Sequence, residues 1–341
     1  MQALVPGIIN HECPLCKHKK AQIRQSFTSE DIAAHLRISE EHPRYSKLTT
    51  HVKQLLGTEP YYFAECLACT YNYAIPNIPG DAHFYNLVYH EDATYPEWNW
   101  DFETSYQTIK AIIEKEGNSE AQLLEIGAGE GNFVKQVASN LIPPDNILTI
   151  EYSEYGKNRI SSLGIKCLTS NILDIQAEEY KEKFDFVCLF QVLEHMNRLD
   201  EVFLRISQLM NKNASLLITV PNNIHRLHYE QYGIIEDVPP IHIGRWNKKC
   251  FEVLAKKFDL ELIDYAREPN NLLNNSIKFS ILRSLKTKLH RIYTTSNNAL
   301  LNKILKIIVV VFYSVSHLRA IKTLNNKDLG ISQWVHLRKE S

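Results

Sequence analysis

The sequence predicts an α/β fold, in which a doubly wound parallel sheet follows a small zinc-binding domain. Four of the seven cysteines form two Cys-x-x-Cys pairs between residues 13 and 69, and a glycine-rich turn follows an apolar strand at residues 122–133. From residue 121 onward, apolar runs alternate with amphipathic helical patterns. Such alternation is typical of a parallel sheet whose two faces are covered by helices.

The N-terminal cysteine pairs indicate a zinc site. They are Cys13-Pro-Leu-Cys16 and Cys66-Leu-Ala-Cys69. Zinc prefers four ligands in a tetrahedron, and each Cys-x-x-Cys turn supplies two thiolates. Because four cysteines fill the coordination shell, we expect the zinc to be structural; a redox dithiol is the alternative. The long gap between the pairs predicts a helical insertion at about residues 29–56.

The glycine-rich turn predicts a nucleotide-cofactor pocket. An apolar strand at residues 122–126 runs directly into Gly127, Gly129 and Gly131. Glycines suit such a turn because the backbone must bend sharply and approach a ligand without a Cβ in the way. The next strand ends at Glu151, the position from which a carboxylate reaches the ribose hydroxyls in sheets of this kind.

Two later runs extend the pattern. A strand beginning at Phe184 ends in Gln191-Val-Leu-Glu-His, and the next strand reads Ile218-Thr-Val-Pro-Asn. Together with Glu125-Ile-Gly-Ala-Gly-Glu-Gly, these runs resemble the class I S-adenosylmethionine-dependent methyltransferases over roughly residues 100–265. The resemblance implies a Rossmann-like sheet and S-adenosyl-L-methionine as the cofactor. It is strongest to the branch that includes small-molecule and sugar methyltransferases.

The same resemblance implies roles for individual residues. Glu125 would anchor the glycine loop, Glu151 would bind ribose, and Gln191 would close the site near the amino-acid end of the cofactor. Asn171 and Ile172 would meet the adenine edge, with Tyr152 beside it. The complete implied cofactor-binding set is Glu125, Gly127, Ala128, Gly129, Glu151, Tyr152, Asn171, Ile172 and Gln191.

The candidate catalytic residues are Glu194, His195 and His242. Glu194 and His195 follow the fourth strand at the edge of the sheet where ligands bind, and His242 lies in the loop after the fifth strand. A base assists methyl transfer when the acceptor is a hydroxyl or a carbon acid. The three residues could instead hold a metal, because Glu-x-x-Glu-His with a distant His resembles magnesium-assisted O-methyltransferases. Here Gln191 replaces the first Glu, which weakens a site for a hard cation.

Bulk composition limits the classes of function. The chain of 341 residues is 44% apolar and 23% charged, as expected for a globular protein with one large domain and an accessory module. A formal net charge of -1 argues against a general attraction to nucleic acid. The N-terminus lacks the basic and apolar regions of a secretory signal, so we expect a cytoplasmic protein.

Four segments are predicted along the chain. They are a zinc-binding module with a helical insertion at 1–80, aromatic-rich linker or lid helices at 81–118, the cofactor-binding domain at 119–270 and 329–341, and a basic helical insertion at 271–328. The aromatic segment suits a lid over a sugar or adenosyl group, or equally an interdomain seam.

The basic insertion carries ten Lys or Arg and one acidic residue. Its apolar part, 299–318, has basic flanks, and its uncharged run is too short to span a membrane. It could lie on the inner membrane surface as a peripheral contact. The alternative is a helical hairpin that packs on the sheet or is buried in a homodimer.

We therefore expect a methyltransferase that acts on a sugar, a sugar nucleotide or a related small molecule in the biosynthesis of surface polysaccharides or glycosides. In the bacterial enzymes that the chain resembles, a zinc-binding module also precedes the cofactor domain. The Tyr-x-Glu-His run of carbon-methylating members is absent, so the acceptor atom stays open. The alternatives are a metal-assisted O-methyltransferase, an RNA methyltransferase and a non-catalytic cofactor-binding scaffold.

Overall fold

The computed structural model describes residues 7–36, 38–88, 97–230, 235, 237–269 and 328–340. The predicted basic insertion, apart from its last residue, lies outside this part of the chain, and so does the apolar run 299–318. In the part that the structure describes, no helix is long and apolar enough to cross a membrane.

The described residues form twelve β-strands and nine α-helices. The strands are β1 (Ile8–Asn10), β2 (Lys20–Phe27), β3 (Tyr61–Cys66), β4 (Asn72–Ile75), β5 (Leu123–Ile126), β6 (Ile147–Ile150), β7 (Lys166–Leu168), β8 (Phe184–Phe190), β9 (Met210–Pro221), β10 (Gly244–Arg245), β11 (Leu260–Arg267) and β12 (Ser332–Lys339). The α-helices are α1 (Ser29–His35), α2 (Tyr45–Leu56), α3 (Ala82–Val88), α4 (Trp100–Glu116), α5 (Asn132–Asn140), α6 (Glu154–Ser161), α7 (Leu199–Leu209), α8 (Asn223–Glu230) and α9 (Lys248–Lys257).

The larger sheet has seven strands in the order β11-β12-β9-β8-β5-β6-β7. Strands β5 to β9 pair in parallel, whereas β12 is antiparallel to both β9 and β11. Strand order reverses between β5 and β8, which places a ligand crevice at the carboxyl ends of these two strands. The predicted doubly wound fold is confirmed.

Near-continuous apolar runs form the central strands because both faces of the sheet are covered. Leu124 and Ile126 of β5 pack in one core cluster, and Leu123 packs in another. Neighbouring side chains of a strand point to opposite faces, so the two clusters lie on opposite sides of the sheet. The first includes α7 and α9, and the second includes α4, α5 and α6.

The smaller sheet is antiparallel, with the order β1-β2-β3-β4-β10. Helices α1 and α2 lie between β2 and β3, in the stretch where an insertion is predicted. The last strand, Gly244–Arg245, comes from the loop that follows β9 and pairs with β4. The loop after β9 therefore contributes a strand to the smaller sheet, whereas the predicted boundaries assign these residues to the cofactor-binding domain.

Candidate functional site

The glycine-rich turn lies at the carboxyl end of β5. Its three glycines have positive φ angles, 74° at Gly127, 56° at Gly129 and 77° at Gly131. A Cβ at Gly127 would come within 2.5 Å of the Val192 side chain. The backbone N–H of Gly127 donates to the carbonyl of Ile150 at 2.8 Å, which joins the turn to β6. The turn therefore requires glycine both for its backbone conformation and for its close packing.

Glu151, at the end of β6, holds this turn in place. One carboxylate oxygen accepts the backbone N–H of Gly129 at 2.8 Å. The other accepts the backbone N–H of Ser153 at 2.8 Å. Each oxygen keeps a second lone pair, so the carboxylate can still accept from a ligand. Its contact with ribose stays a prediction.

Glu125 lies beneath the turn and is 2% exposed. Burial, with the nearby charge of Glu151, raises its pKa well above the usual value. Among the described residues, its Oε2 has no hydrogen-bond partner. A buried acceptor without a partner is costly, so this oxygen is suited to a donor supplied by a ligand.

A cavity of about 630 Å³ opens over the turn. Eight predicted site residues line it: Glu125, Gly127, Ala128, Gly129, Glu151, Tyr152, Gln191 and His195. Four other predicted residues do not: Asn171, Ile172, Glu194 and His242. Further residues that were not predicted also line the cavity, among them Tyr85, Asn99, Asp101, Phe102, Asn132 and Phe190.

The residues predicted at the adenine edge have local roles in the structure. The Asn171 side chain accepts the backbone N–H of Leu173 at 3.0 Å and caps a short 3-10 helix. Ile172 is 2% exposed and belongs to the core. Tyr152, by contrast, lines the cavity and is 66% exposed. The adenine contacts of Asn171 and Ile172 stay a prediction.

Gln191 holds a buried carboxylate at the cavity wall. Its side-chain amide donates to Asp101 at 2.8 Å and to Ser332 at 3.2 Å. Asp101 lies in the first turn of α4 and is 2% exposed. Burial raises the pKa of this carboxyl. The Gln191 side chain is therefore directed toward Asp101 on α4. It does not take the part of metal ligand that its place in the Glu-x-x-Glu-His pattern suggests.

The cavity has a pronounced electrostatic bias. Four carboxyl groups line it, those of Asp101, Glu125, Glu130 and Glu151, and no lysine or arginine of the described chain is among its lining. Burial favours the neutral form of Asp101 and Glu125, so the acidic character of the lining rests chiefly on Glu130 and Glu151, and it favours a ligand of the opposite sign. The site is therefore suited to a cationic ligand.

Glu194, His195 and His242 come together beside this cavity. One potential ligand atom of each lies within 4.8 Å of the others, and the two imidazole rings are 4.7 Å apart. His195 Nδ1 lies 2.5 Å from the carbonyl oxygen of Ile241 and 3.2 Å from the hydroxyl of Tyr85. Because a carbonyl can only accept, we assign the His195 proton to Nδ1, which leaves Nε2 as a proton acceptor.

Burial shifts the pKa values of His195 and Glu194 in opposite directions. It lowers the pKa of His195 to about 3, with the nearby His242 as the second cause. It raises the pKa of Glu194, which is 1% exposed, to about 7. The Glu194 carboxyl lies 4.0 Å from His195 Nε2. At neutral pH the pair therefore combines a neutral imidazole with a carboxyl close to half ionised.

A further group, which the sequence analysis did not predict, supports His242. Asp237 is 2% exposed, and its carboxylate lies 2.5 Å from His242 Nδ1. Arg226 and Arg245 form ion pairs with the same carboxylate. The only signal in the sequence is an acidic residue shortly before Pro239-Pro-Ile-His, and spacing alone does not distinguish it from a solvated loop residue.

The four N-terminal cysteines also converge. Cys13 and Cys69 lie 3.6 Å apart between sulfurs, and Cys16 and Cys66 lie 3.5 Å apart. All four sulfurs lie within 4.8 Å of one another. Tetrahedral zinc with bonds of about 2.3 Å places its sulfurs about 3.8 Å apart. The donor set and its spacing therefore fit zinc.

The two cysteine turns have the same backbone geometry. The residue after each pair, Lys17 or Thr70, has a positive φ, 64° or 62°. Its N–H donates to the carbonyl of the first cysteine of that pair at 3.0 Å in both turns. Two equivalent turns facing each other are expected of a closed structural site.

A methyltransferase-domain family model matches residues 99–265. A SAM-dependent methyltransferase from Archaeoglobus fulgidus is 15% identical over 70% of this chain and 96% of that chain, with a TM-score of 0.39. The N-methyltransferase NodS from Bradyrhizobium japonicum, in complex with S-adenosyl-L-homocysteine, is 11% identical over 72% and 95%, with a TM-score of 0.39. Phosphoethanolamine N-methyltransferase 2 from Haemonchus contortus is 16% identical over 69% and 53%, with a TM-score of 0.38. Comparison with curated protein sequences finds no match.

Proposed function

We propose that the chain, whose residues 99–265 match a methyltransferase-domain family model, is a class I S-adenosylmethionine-dependent methyltransferase that methylates a hydroxyl of a sugar-containing small molecule. The observation that carries this proposal is His195, which lines the cofactor cavity beside a buried glutamate. A hydroxyl is a poor nucleophile until its proton is removed, so transfer to an oxygen acceptor would make use of a base at this position. The sugar class rests on the resemblance of the sequence.

The cavity fits the cofactor in size and charge. S-adenosyl-L-methionine carries a sulfonium and an ammonium, and the cavity lining carries four carboxyl groups. Oε2 of Glu125, which has no hydrogen-bond partner among the described residues, can accept from a cofactor donor. Glu151 and the backbone of Gly127 and Gly129 would hold the remaining polar groups. When bound, the cofactor supplies an activated methyl group.

The residues of the chain itself would align the acceptor and take its proton. His195 would accept the hydroxyl proton at Nε2, because Nδ1 is held by the carbonyl of Ile241 at 2.5 Å. The imidazolium formed in this way would be stabilised by the ionised Glu194 carboxylate, 4.0 Å away. Turnover is therefore expected to increase as pH rises through about 7, where Glu194 ionises.

A radiolabelled methyl-transfer assay tests the acceptor class. Methyl-labelled S-adenosyl-L-methionine is incubated with the protein and with separate panels of monosaccharides, nucleotide sugars, small amines and RNA. We expect label in a sugar panel, with an alkali-stable methyl ether as the product. Transfer to amines or RNA alone would contradict the proposal.

A metal-assisted reaction is a second candidate, favoured by the grouping of Glu194, His195 and His242 within 4.8 Å. Nδ1 of each histidine is already engaged, by Ile241 or by Asp237, so each Nε2 could serve as a ligand. Two imidazoles and a carboxylate suit Zn²⁺ or Mn²⁺ better than Mg²⁺. Loss of turnover on chelation and recovery with Mn²⁺, while the four-cysteine zinc is retained, would support this candidate over a metal-free base.

We also propose that Cys13, Cys16, Cys66 and Cys69 hold one structural zinc ion. A small-molecule acceptor, a homodimer and a cytoplasmic location with peripheral membrane contact remain proposals that rest on the sequence. A steep loss of RNA affinity with salt would favour the RNA alternative instead.

A further inference from the structure

His242 is bound on one side by a buried carboxylate. Its Nδ1 lies 2.5 Å from Asp237 Oδ1. Because an ionised carboxylate only accepts, this contact places a proton on Nδ1. Neighbouring groups hold Asp237 in the ionised form, since Arg226, His242 and Arg245 together lower its pKa against the effect of burial. The orientation of the His242 ring is therefore set by Asp237.

Two arginines fix Asp237 in turn. Arg226 and Arg245 both pair with its Oδ2, and their side chains are 4% and 1% exposed. Arg245 also pairs with Glu230 at 2.9 Å. Among the described residues, the cluster thus sets two guanidinium groups against two carboxylates, and such pairing offsets the cost of burying the charges. Such a cluster permits few side-chain arrangements.

Arg245 belongs to the smaller, cysteine-bearing sheet. It lies on β10, where it faces Asn72 of β4 in the strand register. Its guanidinium lies 4.1 Å from the centre of the Phe63 ring and donates to Gln25 at 3.1 Å. The ion cluster around Asp237 is therefore anchored in the N-terminal sheet.

The backbone provides a second connection between that sheet and the candidate catalytic loop. The N–H of Ile243 donates to the carbonyl of Glu194 at 2.8 Å, and its carbonyl accepts the N–H of Ala74 at 2.9 Å. The carbonyl of Ile241, two residues earlier, accepts from His195. The short segment of residues 241–245 thus contains His242, contacts His195 and pairs with the N-terminal sheet.

We propose that Asp237 is the positioning residue of His242, and that Arg245 makes the N-terminal sheet part of the catalytic site. This inference deepens the proposed function of the same site. The N-terminal module would act on turnover by setting the histidine geometry, while the cofactor would be bound mainly by the loops at the edge of the larger sheet. Damage to the Asp237 cluster should therefore lower kcat and leave cofactor affinity unchanged.

Nuclear magnetic resonance of the histidine side chains tests the positioning without an acceptor. The full chain is labelled with ¹⁵N-histidine, saturated with S-adenosyl-L-homocysteine, and the His242 signal is assigned by its loss in His242→Gln. We expect a proton on Nδ1 in the wild type and loss of this preference in Asp237→Asn. An unprotonated Nδ1 in the wild type, or an unchanged signal in Asp237→Asn, would overturn the proposal.

Kinetics provide the second test, with an acceptor from the sugar panel. Asp237→Asn should lower kcat by about 100-fold, within the range that a positioned base contributes, and change the Kd of S-adenosyl-L-homocysteine less than twofold. Arg245→Lys, which keeps the charge, should show a smaller loss of kcat. The control is Arg24→Gln, which breaks an exposed ion pair with Glu65 in the same sheet and should change neither constant.

Equal losses of kcat in Asp237→Asn and Arg24→Gln would show only a general weakening of the sheet and would overturn the proposal. Should no acceptor panel take up the label, the proposed function fails, yet the wild-type histidine signal still decides the positioning role.

Discussion

Replacing Glu194 by glutamine examines the electrostatics of the candidate catalytic loop without an acceptor. The Glu194 side chain is 1% exposed, and burial raises its pKa from 4.5 to about 7. Glutamine has nearly the shape of the protonated acid and cannot ionise. The substitution therefore preserves the packing and removes only the free energy of ionising a buried carboxyl.

The sign of the effect follows from proton linkage. Between pH 4.5 and 7 the folded protein keeps a proton on Glu194 that the unfolded chain has released, so raising the pH through this window lowers the free energy of unfolding. A pKa that rises from 4.5 to about 7 corresponds to a total of about 3 kcal/mol. Some 2–3 kcal/mol of that total, an approximate value, develops between pH 5 and pH 8.

Urea unfolding of zinc-loaded wild type and Glu194→Gln, at pH 5 and at pH 8, measures this quantity. Relative to the wild type, the variant should gain about 2–3 kcal/mol of unfolding free energy between the two pH values. His195, whose pKa is lowered to about 3 by burial and by His242, affects stability in the opposite direction between pH 3 and 6.5. It does so in both proteins, so it cancels in the comparison.

A difference between wild type and Glu194→Gln that is the same at both pH values would refute the reasoning. It would mean that Glu194 ionises in the folded protein as readily as in the unfolded chain. A gain in the opposite direction would mean that a cation stabilises the ionised form, as a bound metal would.

Three further outcomes are expected. Cys66→Ser should release zinc, as measured by metal analysis of the purified protein, and lower the thermal stability of the smaller sheet; full zinc content would contradict the cysteine site. Glu151→Ala should weaken binding of S-adenosyl-L-homocysteine by about 1–3 kcal/mol in calorimetry, because its carboxylate holds the Gly129 and Ser153 N–H groups; equal affinity would place the ribose contact elsewhere. Gly127→Ala should lower unfolding free energy by about 1–3 kcal/mol, since its φ is 74° and Val192 would lie 2.5 Å away; unchanged stability would show that the turn tolerates a side chain.

The larger sheet could be predicted from sequence because its signals are local. Strands β5, β6, β8 and β9 are largely apolar runs that are buried on both faces, and helices α5 and α7 each bury an apolar face. Short-range periodicity is sufficient for elements of this kind.

The helical insertion in the N-terminal module was also predictable, from the gap between the cysteine pairs. Strand β10 was not, because two residues, Gly244 and Arg245, carry no periodic signal. Their pairing with β4 depends on contacts between segments about 170 residues apart in sequence. Only the tertiary structure brings such segments together.

The candidate site, too, was predictable from the sequence only in part. Glycine turns and strand-end carboxylates follow from local rules, and the structure places Glu125, Glu151 and His195 at one cavity. Asp101 and Asp237 were missed because each gains its role from burial and distant partners. Asn171, by contrast, satisfies a local cap in the structure, which is the commonest use of asparagine at such a position.

The most direct test of the account is the ratio of turnover to cofactor affinity in His195→Ala. Methyl transfer to the sugar acceptor and calorimetric binding of S-adenosyl-L-homocysteine are measured on the same preparation. The account expects kcat to fall by about 100-fold or more with the Kd changed less than twofold, because His195 meets the acceptor proton and the carboxylates hold the cofactor. Turnover close to wild type in His195→Ala would contradict base catalysis at this site.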